Sequence, residues 1–499
     1  MGRTTWVFGD QLNRRIGALA EADPDHDTIL LVESRALLDA AKHRQRGHMV
    51  LTAMRRFADE LADAGFTVDV RRAATLADGL EAHRNQRRPD EVVATEPLSW
   101  DARRRLDDLD VAQVRSNQLL CHEADFAEWA GGRGDKRLLM EDFYRWQRRR
   151  LGYLMDGDDP VGGVWNLDAE NREPPPKGDD RAEGWPQPVT SRLDDVDEEA
   201  LADLGDAAFG APPDGWWPTT RRQALARLRH VVREVLPRFG PHEDAMLTDC
   251  PQMAHSLLSA PLNIGLLLPG EVADAAEEAY RAGDVPLASA EGFVRQVIGW
   301  REYVWGLYWL WMPDYRDVNA LQAHRPLPPA FRTAETDMAC LRTALEGVRD
   351  HGWVHHIQRL MVLANLSTLA GTDPKEVVRW MTDSFVDGQE WVMLPNVLGM
   401  GLHADGGRMA TKPYVSGGAY INRMSDHCRG CRFDPKARTG DDACPYTTLY
   451  WDFLACHRQR FEGNHRMARP VANLDRLGDL DEVRARADEV RAALEDGTL

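Results

Sequence analysis

The chain has 499 residues, with 61 Lys+Arg against 80 Asp+Glu, a formal charge of −19 and 43% apolar residues. That length exceeds one ordinary core and predicts two or three domains, and the apolar share excludes wholesale disorder. The acidity excludes a protein that coats nucleic acid by bulk charge, but it leaves room for a local basic cleft.

No apolar run approaches the ~20 residues of a membrane span. Residues 1–9 run straight into a strand-like segment rather than a leader, so a soluble, cytoplasmic protein with no membrane partner is expected. Lysine stands only at positions 42, 136, 177, 375, 412 and 436, so nearly all positive charge is arginine.

Residues 5–9 (TWVFG), 28–33 (TILLVE), 67–71 (TVDVR) and 91–95 (EVVAT) are short, apolar and rich in β-branched side chains, the signature of buried strands. Between the second and third, Val50, Met54, Phe57 and Leu61 recur at helical spacing before Gly65, a natural stop. Strands alternating with helices predict an α/β domain with a parallel, Rossmann-like sheet over residues 1–135. Gly9 is followed by Asp10, Gln11 and Leu12, so no G-x-G-x-x-G follows the first strand and dinucleotide binding there is disfavoured.

From about 156 to 214 the composition shifts to prolines, acidic pairs and Gly162–Gly163. Such a segment buries little of itself, and residues 136–215 are expected to form an interdomain connector. Residues 216–499 read as an all-α domain. Phe293, Val297, Trp300, Val304 and Leu307 form one apolar stripe, Ile357, Leu360, Met361 and Ala364 a second, and 480–494 a charged amphipathic helix.

The sharpest chemical signal is Cys428-x2-Cys431-x12-Cys444 among seven cysteines. Two thiolates three residues apart can grip one metal, and a third leaves one corner to fill. Spacing alone leaves zinc and iron–sulfur open, with Cys340, Cys456 and Cys250 as candidates for the fourth ligand. The segment 255–263 (HSLLSAPLN) offers hydroxyls at an expected helix start, suited to phosphate, although N-capping explains any single serine. Trp353-Val354-His355-His356 places two histidines on an expected helix about 100° apart, where one can face a pocket and the other orient it. Sixteen tryptophans suit core packing first and electron hopping second. The densest basic run is Arg145, Arg148, Arg149 and Arg150 with Tyr144 and Trp146, for which a solvated helix face is the simpler explanation.

Ten segments in order carry a resemblance. They are FGDQL (8–12), MEDFYRWQR (140–148), GGVWNLDAENR (162–172), HSLLSAPLNIGLL (255–267), GFVRQVIGWREYVWG (292–306), ETDMAC (335–340), HHIQRLMVLANL (355–366), WVMLPNVLGM (391–400), ADGGRMATKPYVSGGAYINRMSDHC (404–428) and ACPYTTLYWDF (443–453). The chain resembles the photolyase/cryptochrome superfamily, in particular its iron–sulfur bacterial and archaeal branch of (6-4) photolyases, over nearly its whole length.

The resemblance implies an α/β antenna domain followed by an all-α domain that binds FAD. It implies that His255, Ser256, Leu257 and Ser259 hold the FAD phosphates with Gln296 and Arg301, and that Arg359, Asp387 and Asn396 surround the isoalloxazine. It implies a [4Fe–4S] cluster on Cys340, Cys428, Cys431 and Cys444, and a 6,7-dimethyl-8-ribityllumazine antenna near Asp10 and Glu33. His355 and His356 match the family's double histidine, where common bacterial cyclobutane-dimer photolyases usually show His-Asn. Lys412, Tyr414 and Tyr420 match lesion-side positions.

The implied function is light-driven reversal of (6-4) photoproducts in ultraviolet-damaged DNA by a monomer. The rivals are a cyclobutane-dimer photolyase, a blue-light photoreceptor without repair, and a zinc-stabilised nucleic-acid-binding module without flavin. Trp380, Trp353 and Trp391 are the expected electron-transfer residues. Arg332 and Met381 stand where the family's photoreduction route usually has aromatic residues, so flavin photoreduction is expected to be slower or to run elsewhere.

Overall fold

The computed structural model describes residues 2–40, 42–176, 185–205 and 208–499. Five strands form its sheet: β1 (Arg3–Val7), β2 (Thr28–Ser34), β3 (Thr67–Ala73), β4 (Glu91–Thr95) and β5 (Ala112–Val114). They lie in the order β3-β2-β1-β4-β5, every pair parallel. The four apolar runs are all strands, as expected. The fifth, Ala-Gln-Val, carries no apolar run and is fixed by its pairing with Val93–Thr95.

Side chains alternate across the sheet, as strand geometry requires. Trp6, Leu30, Val32, Val92 and Ala94 pack with Leu80 and Leu106 on one face, and Val7, Ile29 and Leu31 pack with Met49, Phe57 and Leu61 on the other. Helices on both faces explain why these strands read as continuous apolar runs. The helix Arg44–Asp63 starts where the ring of His43 accepts from the Gln45 N–H at 3.2 Å, and Gly65 at φ 93° turns the chain out of it. The strand order reverses between β1 and β4, so Asp10 and Glu96 leave their strands beside the crevice where α/β sheets bind ligands.

The expected connector lies partly outside the described residues, at 177–184 and 206–207. Its described part is more ordered than its composition suggests. The helix Asp195–Leu204 is tied to Arg44–Asp63 by Arg56, which donates to Asp194 (2.7 Å) and Asp197 (2.6 Å). Gly47 lets it approach, since a Cβ there would lie 2.7 Å from Leu204. On the helix Met140–Leu151, Arg148 is fully buried and donates to the carbonyls of Tyr153, Leu154 and Trp165. The basic run is therefore not a uniformly solvated face.

Beyond residue 160 no described residue belongs to the sheets, and helices run from Arg221–His230 to Leu480–Asp496. Phe293, Val297, Val304 and Leu307 are buried as their spacing predicts. No helix among the described residues is long and apolar enough to cross a membrane.

Candidate functional site

The helical half contains four wide-turn stretches, Val231–Val235, Arg295–Trp300, Gln358–Ala364 and Pro395–Gly401. Such turns concentrate at functional sites, and three of these carry Gln296, Arg359 and Asn396.

Arg359 makes a two-pronged ion pair with Asp387 at 2.9 and 3.1 Å and also donates to the Val354 carbonyl at 2.7 Å. Asn263, from the helix Ser259–Asn263, donates to the Asp387 carbonyl at 3.1 Å and accepts from Arg301 at 2.6 Å. Arg301 lies 4.8 Å over the ring of Trp391, whose indole N–H donates to Gln389 at 2.7 Å. One network thus joins Arg301, Asn263, Asp387, Arg359 and Trp391. Asn396 points its amide N–H back to the Val392 carbonyl at 2.9 Å, and Gln296 donates to Glu243 at 2.8 Å.

The helix Ala339–His351 ends at Gly352, φ 62°, and the chain turns through Trp353 before re-entering a helix. His355 therefore precedes the helix and His356 starts it, which corrects the expectation that both ride on one helix. His355 is 1% exposed, and its ring stacks on that of His255 at 4.3 Å and 11°. His356 is exposed, yet surrounding protein and then the Arg359 cation hold its pKa down to about 4. Exposure combined with dense surroundings marks the wall of a concavity. Burial, aided by His356, brings His255 to about 3, and burial with the neighbouring imidazoles lowers His355 further. All three rings are thereby neutral at ordinary pH.

The serine segment reaches this site as well. Leu257 adopts φ 54°, Ser256 Oγ accepts from the Leu258 N–H at 3.4 Å, and Ser259 opens the short helix. Around it, buried polar atoms lack protein partners: His255 Nε2, Arg301 Nε and Nη2, both ring nitrogens of His355 and the amide of Gln358. Unpaired buried donors and acceptors are costly. This donor-rich set fits a ligand carrying phosphates and a polar heterocycle.

Lys412, Tyr414 and Tyr420 share one neighbourhood. The Lys412 ammonium lies 5.9 Å from the Tyr414 ring, and the charge of Arg172 bears on all three. Two groups there carried no sequence signal. Burial pushes Glu243 up to about 7 and Asp244 up to about 6, and both come from a polar loop.

Cys340, Cys428, Cys431 and Cys444 line one pocket with Met338, His427, Phe433 and Tyr446. Cys250 and Cys456 are not among its walls. Burial, then Cys444 and Cys431, pushes the Cys428 thiol up to about 12, and burial with its three neighbours raises Cys340. Among the described residues, the one group of three or more metal-binding side chains with all ligand atoms within 4.8 Å is Glu96, His122 and Glu123. No three of the four sulfurs around the pocket therefore lie within 4.8 Å of one another.

At the sheet, burial raises Asp10 to about 6 against the pull of Arg46. Glu33 is held by Arg55 at 2.9 and 3.0 Å and by Arg72 at 3.1 Å. Trp380 donates to the Phe331 carbonyl at 2.8 Å and touches the rings of Phe331 and Phe385. Trp353 lies 6.4 Å from Trp216 and 6.5 Å from His255.

Residues 5–212 match the family described as deoxyribodipyrimidine photo-lyase-related protein. A (6-4) photolyase of Agrobacterium fabrum is 41% identical over 498 residues, covering 96% of both chains. An uncharacterized protein of Acanthamoeba polyphaga mimivirus is 32% identical over 21% of this chain and 76% of its own. Among solved structures, a bacterial class III photolyase from Agrobacterium tumefaciens superposes with a TM-score of 0.57 at 17% identity over 99% of this chain and 98% of that one, a likeness of fold. On the near-full-length identity, and with the parallel sheet followed by a helical half, the chain belongs to the photolyase/cryptochrome superfamily.

Proposed function

We propose that this protein is a light-driven (6-4) DNA photolyase, with residues 1–135 as an antenna unit, 136–215 as a connector and 216–499 as the catalytic unit. One observation carries the reading: the 41% identity, over 96% of both chains, to a relative named (6-4) photolyase. The buried donor set around Arg301, His255 and Gln358 supports FAD as the resident cofactor, held also by Ser256, Leu257, Ser259, Gln296, Arg359, Asp387 and Asn396. A fully reduced flavin, when bound and excited by light, supplies one electron to the damaged dinucleotide.

This chain's residues do the rest. A lesion within a duplex cannot reach the site, so the dinucleotide is flipped out, at a cost of a few kcal/mol that damage lowers. Lys412, Tyr414 and Tyr420 suit the lesion side, one by charge and two by stacking. His356 opens to the recess and is placed to hold and return the proton that accompanies the migrating group. His355, buried behind it, orients the pair.

The four-cysteine pocket supports a [4Fe–4S] cluster. A single tetrahedral zinc with bonds of about 2.3 Å draws its sulfurs to roughly 3.8 Å apart, whereas no three of these four sulfurs lie within 4.8 Å of one another. A polynuclear cluster suits the wider spread. Asp10, at the crevice where the sheet order reverses, supports a lumazine antenna there; Glu33, already spanned by two arginines, serves it as a fixed charge.

Illumination of the reduced protein with separately prepared (6-4) and cyclobutane oligonucleotides tests the reading. Restoration of the (6-4) substrate alone is expected. Repair of the cyclobutane dimer alone, or of neither lesion, overturns it, the latter outcome favouring a photoreceptor. Iron and sulfide analysis of the same sample tests the cluster.

A further inference from the structure

We propose that His427 is a reserve ligand of the four-cysteine centre, its Nε2 placed to hold metal in place of Cys431. The proposal rests on the iron–sulfur reading above and adds a nitrogen donor to it.

His427 opens the short turn His427–Arg429, directly before Cys428, and is one wall of the pocket that the four cysteines line. Backbone pairing sets its surroundings. The Met246 N–H donates to the Met424 carbonyl at 2.8 Å, which lays Thr248 alongside Asp426 and His427. Thr248 Oγ1 donates to Asp426 Oδ1 at 2.8 Å and lies 2.9 Å from His427 Nδ1. A hydroxyl has one proton, and the charge-assisted bond to the carboxylate takes it. Nδ1 therefore donates to Thr248 Oγ1. The ring is only 3% exposed, which favours its neutral form and leaves Nε2 a bare lone pair.

That lone pair has no partner, since Nε2 is buried and makes no hydrogen bond to the protein. Thr248 is not among the pocket walls, so the Nδ1 edge of the ring faces away from the sulfurs and the edge bearing Nε2 faces towards them. Nothing else in the walls competes for it. Tyr446 spends its hydroxyl on the Val362 carbonyl at 3.1 Å, and Met338, Ile421 and Phe433 are apolar. A buried acceptor without a donor is costly. A carboxylate that fixes the tautomer of an imidazole and leaves its other nitrogen bare is the arrangement behind metal-ligating histidines, here with the Thr248 hydroxyl interposed.

Four thiolates complete a [4Fe–4S] cluster, so the imidazole is surplus while all four are bound. Cys431 is the thiolate it is suited to replace. Cys340 and Cys444 are buried, whereas Cys431 is partly exposed, its Sγ 4.0 Å from the carbonyl of Asp337, which pairs at the surface with Arg432. Cys428 is partly exposed as well, but it follows His427 directly, and adjacent residues in a turn do not face one another.

The test uses the full chain, purified without oxygen, with iron and sulfide analysis, redox titration and pulsed electron paramagnetic resonance of the dithionite-reduced sample. Cys431→Ala is expected to keep most of its iron and to show a nitrogen coupling that changes when isotopically labelled histidine is supplied. Its midpoint potential should rise by at least roughly the 59 mV of a tenfold one-electron shift, because a neutral imidazole replaces a thiolate. His427→Gln alone is expected to keep its iron and its fold, while the double variant Cys431→Ala/His427→Gln loses the metal. Loss of iron from Cys431→Ala, with or without loss of the fold, overturns the proposal. Iron retained in Cys431→Ala without a nitrogen coupling, or retained in the double variant, overturns it equally. A wild-type chain that carries flavin but no iron overturns the iron–sulfur reading instead.

Discussion

At the scale of single residues, the site is defined by imidazoles that the fold keeps neutral. Burial lowers His255, His355 and His356, and the Arg359 cation adds to the effect at His356. His356 alone opens to the recess. If it delivers the proton, its charged fraction, small at neutral pH, grows as the solution is acidified towards its pKa near 4. Repair by pre-reduced protein is therefore expected to rise between about pH 8 and pH 6. His356→Ala should abolish (6-4) repair and flatten that profile while FAD stays bound, and His355→Ala should impair it by releasing the orientation of the pair. Measurement of repair yield against pH decides the point: a profile identical in wild type and His356→Ala assigns the proton elsewhere. The sequence signalled the pair but misplaced its geometry, because Gly352 ends the preceding helix and holds His355 outside the next one.

At the scale of elements, propensity and burial agreed for the sheet, since β-branched apolar runs have one stable use when both faces are covered. β5 was illegible because three residues held by pairing leave no periodic pattern. The helix Asp195–Leu204 within the expected connector was hidden for the opposite reason: its acidic residues look solvated, yet Asp197 is 1% exposed and holds Arg56 and His48. The Arg301–Asn263–Asp387 network was equally hidden, because it joins segments far apart in the chain.

The entry to the helix Arg44–Asp63 carries a testable consequence. His43 is 0% exposed and its ring contacts the Val348 carbonyl at 2.7 Å, joining the sheet layer to the helical half. Burial holds its pKa down to about 4. The unfolded chain binds this proton near the ordinary value and the folded chain only near 4, so the contribution is complete above about pH 6.5 and is lost as pH falls towards 4. Roughly 2 kcal/mol should vanish between pH 7 and pH 5. Urea denaturation of His43→Gln should show that pH dependence reduced by a similar amount, and an unreduced dependence would assign the acid sensitivity to other groups.

At the scale of the whole molecule, a charge of −19 has to be reconciled with a DNA substrate. The most basic stretch of sequence supplies only part of the answer, since Arg145, Arg149 and Arg150 are exposed while Arg148 is not. Arg148 is buried, Arg149 and Arg145 lie 4.5 and 5.9 Å from the Trp165 ring, and Arg150 is bound to the Leu120 carbonyl and near Asp125. The other part is local: Lys412, Arg172, Arg423 and Arg466 around Tyr414 and Tyr420. Non-specific DNA binding draws on total phosphate neutralisation, whereas a flipped lesion draws on the pocket. Undamaged duplex should therefore bind no more tightly than the weak end of the usual range, about 10⁻⁴ M at physiological salt, while a (6-4) duplex binds far better. Lys412→Ala should weaken the lesion complex and reduce its salt dependence, because on the proposed reading Lys412 is one of the four cations grouped around the two tyrosines. Fluorescence anisotropy with matched damaged and undamaged duplexes across a salt series reads both effects. Micromolar binding of the undamaged duplex would reveal a second basic face and remove the premise that recognition is confined to the pocket.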